Sequence, residues 1–551
     1  MEGSLLKTEI AVVGAGPAGL AAAIEAARAG AQVTLIDENA RPGGQLFKQI
    51  HKFFGSEAHR AGIRGVQIGQ DLLQEAQKAG VKIRLNTVVY GLFNDKCLGL
   101  VCGDHTEDLQ ADAIILATGA NENALAFPGW TLPGVMGAGA AQTLINIHRT
   151  LPGRCVLVVG AGNVGLIVTY QLLQAGAEVV SIVEGLPYIG GYGVHASKVR
   201  RAEVPILTSH TILRAEGKGG VERTVIAQVD ENWQPLPGTE SILEVDTICL
   251  AVGLSPLAEL PRMAGVQFVH IPTLGGWVPA HGEDMQTSLP DIYVAGDLAG
   301  IEEASTAMEE GRLAGLAAAE ALGHLSSEEG EKKKAAVRER LAALRIGSFG
   351  EGRALAKEQI VTGQVRGMNV RACPELALSR VEGPSRREGI LVTGIPSREE
   401  LEASPGYPSA EDLTRGPMVV IECVQDIPCN PCEVACPNGA IFVGNPITNL
   451  PVFYAGKCDA CGRCIPICPG QAIFRVDMTY SDGRATVAFP YEFLPMPEKG
   501  DIVQGVNRAG EVVCEAEVLQ VQQPKGFDRT AVITVVVPKD LAMEVRSKKR
   551  S

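Results

Sequence analysis

The apolar positions of the first half fall in short runs, each ended by glycine. Residues 9–13 form one run, followed by Gly14, Gly16 and Gly19 with Pro17 and Ala18 among them, then by an Ala-rich stretch to residue 29. A run of this length predicts a strand, and the alanines predict a helix that Gly30 stops. A second strand at 32–36 ends at Asp37. The punctuation returns 146 residues later: a strand at 155–159, then Gly160, Gly162 and Gly165 with Asn163 and Val164 among them, a helix to residue 174, Gly176, and a strand at 178–183 ending at Glu184. Each β-α-β unit is followed by an apolar strand with a small-residue turn, at 113–120 and 247–254. Duplicated units of this kind predict two nucleotide-binding domains in an α/β chain.

A further strand at 292–295 leads into Gly296 and Asp297, and a helical stretch follows at 304–322. Residues 324–345 are charged and read as a solvated helix or linker, and 346–420 are rich in Gly and Pro and read as irregular. From about residue 480, the runs TVAFPY, EVVCEAEVLQV and AVITVVV predict a small β-rich module, with the basic tail EVRSKKRS solvated. The expected organisation is 1–123 with 256–325, an inserted domain at 124–255, a linker at 326–420, a cysteine-rich domain at 421–479 and the β-rich module at 480–551.

The chain has 551 residues, 46% hydrophobic and 20% charged, with 64 Gly and 32 Pro. This globular balance excludes a largely disordered chain. Lys and Arg number 49 against 63 Asp and Glu, a net −14 that disfavours nucleic acid and anionic membranes as partners. Aromatic residues are 5%, too few for base-stacking platforms. No charge-free apolar run is long enough to predict a membrane-spanning helix. The first apolar run enters the Gly-rich motif directly and reads as a strand rather than a signal peptide, so the expected address is the cytoplasm.

The spacing G-x-G-x-x-G serves three physical needs. The first Gly turns the chain off the strand, the second admits a pyrophosphate to the backbone, and the third lets helix pack on strand. The helix N-terminus then offers free N–H groups to phosphate. A carboxylate at the end of the second strand accepts from ribose hydroxyls; Asp37 follows Gly14 by 23 positions and Glu184 follows Gly160 by 24. Glu184 repels a 2′-phosphate and is followed by Gly-Leu-Pro rather than a basic residue, which favours NAD(H) over its phosphorylated form in the second unit.

Eight of the 14 cysteines lie within the 46 residues from Cys423 to Cys468. A large chain with one local cluster points to inorganic ligation rather than a disulfide scaffold. Cys458, Cys461, Cys464 and Cys468, followed by Pro469, give C-x2-C-x2-C-x3-C-P, the run of bacterial ferredoxins. Cys423, Cys429, Cys432 and Cys436, followed by Pro437, repeat it with C-x5-C in place of C-x2-C, Asp426 standing at the in-register position. The expectation is two [4Fe–4S] clusters with crossed ligation. Cys423, Cys429, Cys432 and Cys468 would hold one, and Cys436, Cys458, Cys461 and Cys464 the other. The alternative leaves Cys423 free beside a three-iron or labile cluster. Zinc has no need of two Cys-Pro endings at this spacing. Cys97 and Cys102 share a strand-like stretch at an odd offset, too far apart for a disulfide, and Cys373 reads as structural.

Asp37, Gly43-Gly44-Gln45, the Ala-Thr118-Gly119 turn and Gly296-Asp297 together resemble the two-dinucleotide-domain flavoproteins of the pyridine-nucleotide oxidoreductase superfamily, over about residues 5–325. The resemblance implies FAD in the first unit, with Asp297 at its ribityl or phosphate region, and adds Glu38, Val88 and Gly253 to the expected cofactor contacts. NAD(H) is implied in the second unit. The stretch VAGDLAGIEEASTAMEEGRLAG is similar to the larger subunits of heteromeric amino-acid dehydrogenases and oxidases, such as opine oxidase, hydrogen cyanide synthase, sarcosine oxidase and dye-linked proline dehydrogenase. This likeness implies a hetero-oligomer in which a second FAD-containing subunit oxidises an amino acid or amine and this chain passes electrons onward. The alternatives are a stand-alone NADH:ferredoxin-type reductase and a non-catalytic electron-conducting structural subunit.

Overall fold

The computed structural model describes residues 5–361 and 389–550, so Cys373 lies outside the described residues. The chain forms two compact units. One gathers the described residues of Met1–Ile50, Ala58–Asn121 and Gly253–Val381; the other gathers His51–Glu57, Glu122–Val252 and the described part of Glu382–Ser551.

The first unit is built on a seven-stranded sheet. Strand Leu6–Val13 lies between Val33–Ile36 and His105–Leu116, parallel to both, and Ile292–Val294 pairs with the far side of His105–Leu116. Helix Pro17–Arg28 starts with Pro at its first turn and carries a nearly continuous buried run of alanines. Against it lies helix Ala304–Ala321, whose Gly311 and Gly315 face the backbone oxygens of Ala18 and Ala22. A Cβ at either glycine would sit 2.1 and 2.3 Å from those oxygens, so only glycine allows the helices this approach. The strand Cys97–Cys102 pairs with Thr87–Phe93 in a hairpin that sets Cys97 opposite Phe93 and Cys102 opposite Thr87.

Two sequence expectations change here. The charged stretch after residue 324 is helix Ser327–Leu344, capped by Ser326, whose hydroxyl accepts from the Glu329 N–H. It is not simply solvated: Val337, Leu341 and Leu344 are buried, and Lys334 is buried through ion pairs with Asp284 and Glu320. Nor is 346–420 irregular throughout, since Glu351–Val361, Ile390–Thr393 and Arg398–Ala403 are helical.

The second unit holds a five-stranded parallel sheet in the order Ile206–Thr208, Glu178–Glu184, Cys155–Val159, Thr247–Leu250, Val135–Gly137. A separate seven-stranded antiparallel sheet follows. It begins with Met418–Ile421 and Ile473–Ser481, which flank the cysteines, and continues through Arg484–Tyr491 and Ala531–Pro538 to Ser547–Lys548. The cysteine-rich stretch and the C-terminal strands, expected as two modules, thus share one sheet, joined by the Asp482-Gly483 turn. One apolar core runs from Leu166, Leu172 and Val199 of the parallel fold into Phe474, Val487 and Val535 of the antiparallel sheet. The tail is not solvated. Arg546 is 0% exposed, its guanidinium donates to Glu422 Oε1 at 2.6 Å, and Ser547–Lys548 adds a strand beside Ile502–Val506.

Candidate functional site

Both glycine motifs fold into the same turn. Gly14 and Gly160 take φ of +100° and +106°, and a Cβ on either would lie 2.3 Å from the carbonyl oxygen of Ala117 or Ala251. Gly19 and Gly165 approach the Gly14 and Gly160 oxygens closely enough that a Cβ would sit 1.8 and 2.0 Å away. Gly16 and Gly162 face open space, which leaves each helix N-terminus accessible to a phosphate. Asn163 Oδ1 accepts from the Tyr192 N–H at 2.7 Å, and Val164 is exposed.

The two acidic strand ends are used alike. Asp37 Oδ2 accepts from the Ala15 N–H at 2.6 Å and Oδ1 from the Asn39 N–H at 2.8 Å. Glu184 Oε2 accepts from the Ala161 N–H at 2.8 Å and Oε1 from the Leu186 N–H at 3.0 Å. A glycine pair follows each carboxylate at the same offset. Gly44 packs so that a Cβ would sit 2.9 Å from Gly16 Cα, and Gly191 so that a Cβ would sit 2.8 Å from Asn163 N. The repeat of Gly43-Gly44 as Gly190-Gly191 was the sequence signal for this second clamp. Gln45 and Glu38 are exposed beside the first turn. Val88 is exposed on its hairpin, and Gly253, at φ +105°, is exposed just after the strand Thr247–Leu250. The Thr118 hydroxyl donates to Leu257 O at 2.8 Å, and Gly119 O accepts from the Leu257 N–H at 2.9 Å.

Gly296 is buried and Asp297 half-buried beside a cluster of buried charges. The Gly296 N–H donates to Glu310 Oε2 at 3.0 Å, while Glu310 Oε1 accepts from Lys357 at 2.7 Å and Arg345 at 2.7 Å. Lys357 also donates to Ala299 O at 2.8 Å, pinning the turn from the helix Glu351–Val361. Burial, with Glu310, Glu303 and Glu302 nearby, pushes Asp297 up to about 7 against the Glu302 N–H that it accepts.

The eight clustered cysteines fall into two sets. Cys423, Cys429, Cys432 and Cys468 line one cavity, with Ile421, Ile427 and Ile473 on its walls. Cys436, Cys458, Cys461 and Cys464 line a second, smaller one, with Val419, Ile441 and Phe453. Burial drives the thiols of Cys429 and Cys432 well above their usual range, and Cys423 up to about 12. Cys461 is exposed. Backbone N–H groups point at three sulfurs, from Ala440 to Cys436 at 3.2 Å, Ala460 to Cys458 at 3.3 Å and Ala472 to Cys468 at 3.5 Å. Among the described residues, no three His, Cys, Asp or Glu side chains converge as a single metal ion would require. Each set surrounds a volume instead.

The loop made by the longer C-x5-C spacing has a use that sequence did not reveal. Gln425 Oε1 accepts the N–H of Gly193, the first residue of helix Gly193–Arg201. Residues 51–57, downstream of the first glycine pair, also belong here. Gly55 bridges to Cys429, and Phe54 lines the larger cavity while packing on Tyr192 and His195 at 5.2 and 5.1 Å between ring centres. Burial pulls His195 well below the usual imidazole range.

Residues 8–311 match the family described as pyridine nucleotide-disulphide oxidoreductase. An opine oxidase subunit of Agrobacterium tumefaciens (strain Ach5) is 31% identical over 329 residues, covering 56% of this chain and 65% of that one. The hydrogen cyanide synthase subunit HcnB of Pseudomonas aeruginosa is 29% identical, covering 55% of this chain and 69% of that one. The match with the opine oxidase protein therefore spans less than two thirds of that protein's length. Among solved structures, L-proline dehydrogenase from P. horikoshii aligns with a TM-score of 0.47 at 23% identity, covering 61% of this chain and 59% of that one. Among the described residues no helix is long and apolar enough to cross a membrane.

Proposed function

The chain belongs to the pyridine nucleotide-disulphide oxidoreductase family and is an FAD-dependent oxidoreductase, and from that premise we propose that it passes electrons between NAD(H) and a partner amino-acid or amine dehydrogenase through two [4Fe–4S] clusters. The observation that carries this reading is the division of the clustered thiols into two sets of four, each around its own cavity. Four thiolates on the four irons of a cubane need such a recess, with apolar walls and N–H donors to sulfur. When bound, FAD supplies exchange between hydride and single electrons, and each cluster holds one electron.

The residues of this chain bind and orient. Gly14, Gly16 and Gly19 open the first turn to the FAD pyrophosphate, Asp37 takes the ribose, and Asp297 lies toward the ribityl chain. Gly160, Gly162, Gly165 and Glu184 do the same for NAD(H), with Asn163 and Val164 at the helix N-terminus. Cys423, Cys429, Cys432 and Cys468 hold one cluster; Cys436, Cys458, Cys461 and Cys464 hold the other. The curated relatives are named as subunits, which supports a partner subunit for this chain.

Anaerobic purification followed by titration with NADH tests the reading. The expected material is coloured, contains one FAD and about eight irons per chain, and loses flavin absorbance on adding NADH. Iron-free protein removes the clusters, and unbleached flavin removes the pyridine nucleotide. Co-purification with a second flavoprotein at fixed stoichiometry tests the partner.

A further inference from the structure

The two thiol cages differ in the charges built around them. Three cations from outside the cysteine segment serve backbone oxygens of the stretch that carries Cys468. Lys52 Nζ donates to Pro466 O, and also to Phe527 O at 3.0 Å. Lys198 Nζ donates to Pro469 O at 3.4 Å and sits 4.8 Å over the Tyr170 ring. Arg201 donates to Gln471 O at 2.9 Å. All three are buried, at 5%, 4% and 7% exposure. Glu422, the neighbour of Cys423, is already answered by Arg508 and Arg546.

The other cage lacks such an arrangement among the described residues. Cys461 is exposed, and Asp459 and an exposed Arg463 line the cavity. Arg475, which donates to Ala460 O at 3.2 Å, is only half-buried. Charges in contact with water are screened; buried ones are screened much less.

A reduced cluster carries one more negative charge than an oxidised one. Burial therefore lowers the potential of the enclosed cage, and fixed cations beside it raise it. We propose that Lys198 and Lys52 are positioning residues that hold up the reduction potential of a cluster on Cys423, Cys429, Cys432 and Cys468, leaving the cluster on Cys436, Cys458, Cys461 and Cys464 to its own surroundings. The inference rests on the cluster reading above. It makes the enclosed cage able to accept an electron that its burial would otherwise refuse. Gly470 fixes the geometry, because a Cβ there would lie 2.7 Å from Val194 Cβ, so the Cys468 turn is seated tightly on the helix that carries Lys198.

The test is a redox titration of the full chain, with anaerobically loaded clusters, followed by electron paramagnetic resonance. Lys198→Met is expected to lower one of two potentials by at least about 59 mV, a tenfold change in the one-electron equilibrium, and to leave the other in place. Lys198→Arg is expected to restore it. Lys52→Met, should the first variant fail to fold, is expected to shift the same signal in the same direction. Two signals whose potentials do not move, or that move together, overturn this inference while leaving the clusters standing. Wild-type protein without iron overturns the cluster reading and this inference with it.

Discussion

Glu184 accepts the Ala161 N–H in the second fold as Asp37 accepts the Ala15 N–H in the first, at 2.8 and 2.6 Å. Each carboxylate thus fixes its own glycine turn from the neighbouring strand. Each also keeps lone pairs for a ligand hydroxyl, since an ionised carboxylate can accept about four hydrogen bonds. One group thus shapes the glycine turn and, in the proposed reading, would also take the ribose.

Replacing Glu184 by Gln puts an amide N–H₂ against one of two backbone N–H donors. The loss of a charged acceptor costs about 1.5–3 kcal/mol, so NADH is expected to bind at least about tenfold more weakly while FAD content stays unchanged. Flavin bleaching against NADH concentration reads both. Unchanged NADH affinity in Glu184→Gln would remove this residue from the nucleotide site.

Asp297 ties stability to pH in the FAD-depleted protein. Its carboxyl titrates near 7 folded against 3.8 for the ordinary side chain. The folded state therefore holds a proton that the unfolded chain has released. Stability falls as pH rises from about 4 to 7, by a limit of about 4 kcal/mol, and stays low above that window. Asp297→Asn is expected to flatten this fall. The difference between the wild-type and variant urea midpoints at pH 5 and pH 8 measures it; parallel curves would show that Asp297 is ionised throughout.

The glycine turns were legible in sequence because their geometry is local: a left-handed Gly, a close-packed Gly and a carboxylate at fixed spacing. The cysteine pattern was legible for the same reason. What sequence hid is burial decided by distant partners. Arg546 sits in a basic tail that reads as solvated, yet Glu422, far upstream, takes it into the interior. Lys198 and Arg201 look like a basic helix end, but their partners are carbonyls of the Cys468 turn. The helix Ser327–Leu344 hid its buried face at Val337, Leu341 and Leu344 among charges that pair across to Asp284 and Glu320. Residues 51–57 gave no sign of lying beside Cys429, because a single backbone bridge leaves no periodic pattern.

Arg546→Met strips Glu422 of a fully buried partner. Arg546 and Arg508 hold the Glu422 carboxyl down at about 2, below its usual 4.5, despite burial. The stability that this depressed carboxyl contributes is present above about pH 4.5 and is lost as pH falls toward 2. Breaking one side of such a pair costs about 3–5 kcal/mol, so Arg546→Met is expected to lower the denaturation midpoint clearly at pH 7. Chemical denaturation of the full chain reads it. A change under about 0.5 kcal/mol, the level of ordinary surface substitutions, would mean that water reaches Glu422.

Cys423 decides whether the longer C-x5-C spacing still supplies a ligand. It shares its cavity with Cys429, Cys432 and Cys468, and the loop between Cys423 and Cys429 is tied to the helix Gly193–Arg201 by the Gly193 N–H that Gln425 accepts. A thiol so enclosed stays protonated until a metal displaces its proton, so iron loading should release protons. Cys423→Ser is expected to cut iron content by between about an eighth (conversion to a three-iron cluster) and about a half (loss of the cluster) of its roughly eight atoms. It should also abolish or convert one resonance signal while the other, from the Cys461 cage, persists. Cys97→Ser, on the hairpin of the first unit, serves as the control and is expected to change neither. If Cys423→Ser keeps full iron and both signals, the cage is closed by three cysteines and another donor, and the thiol at 423 is a bystander.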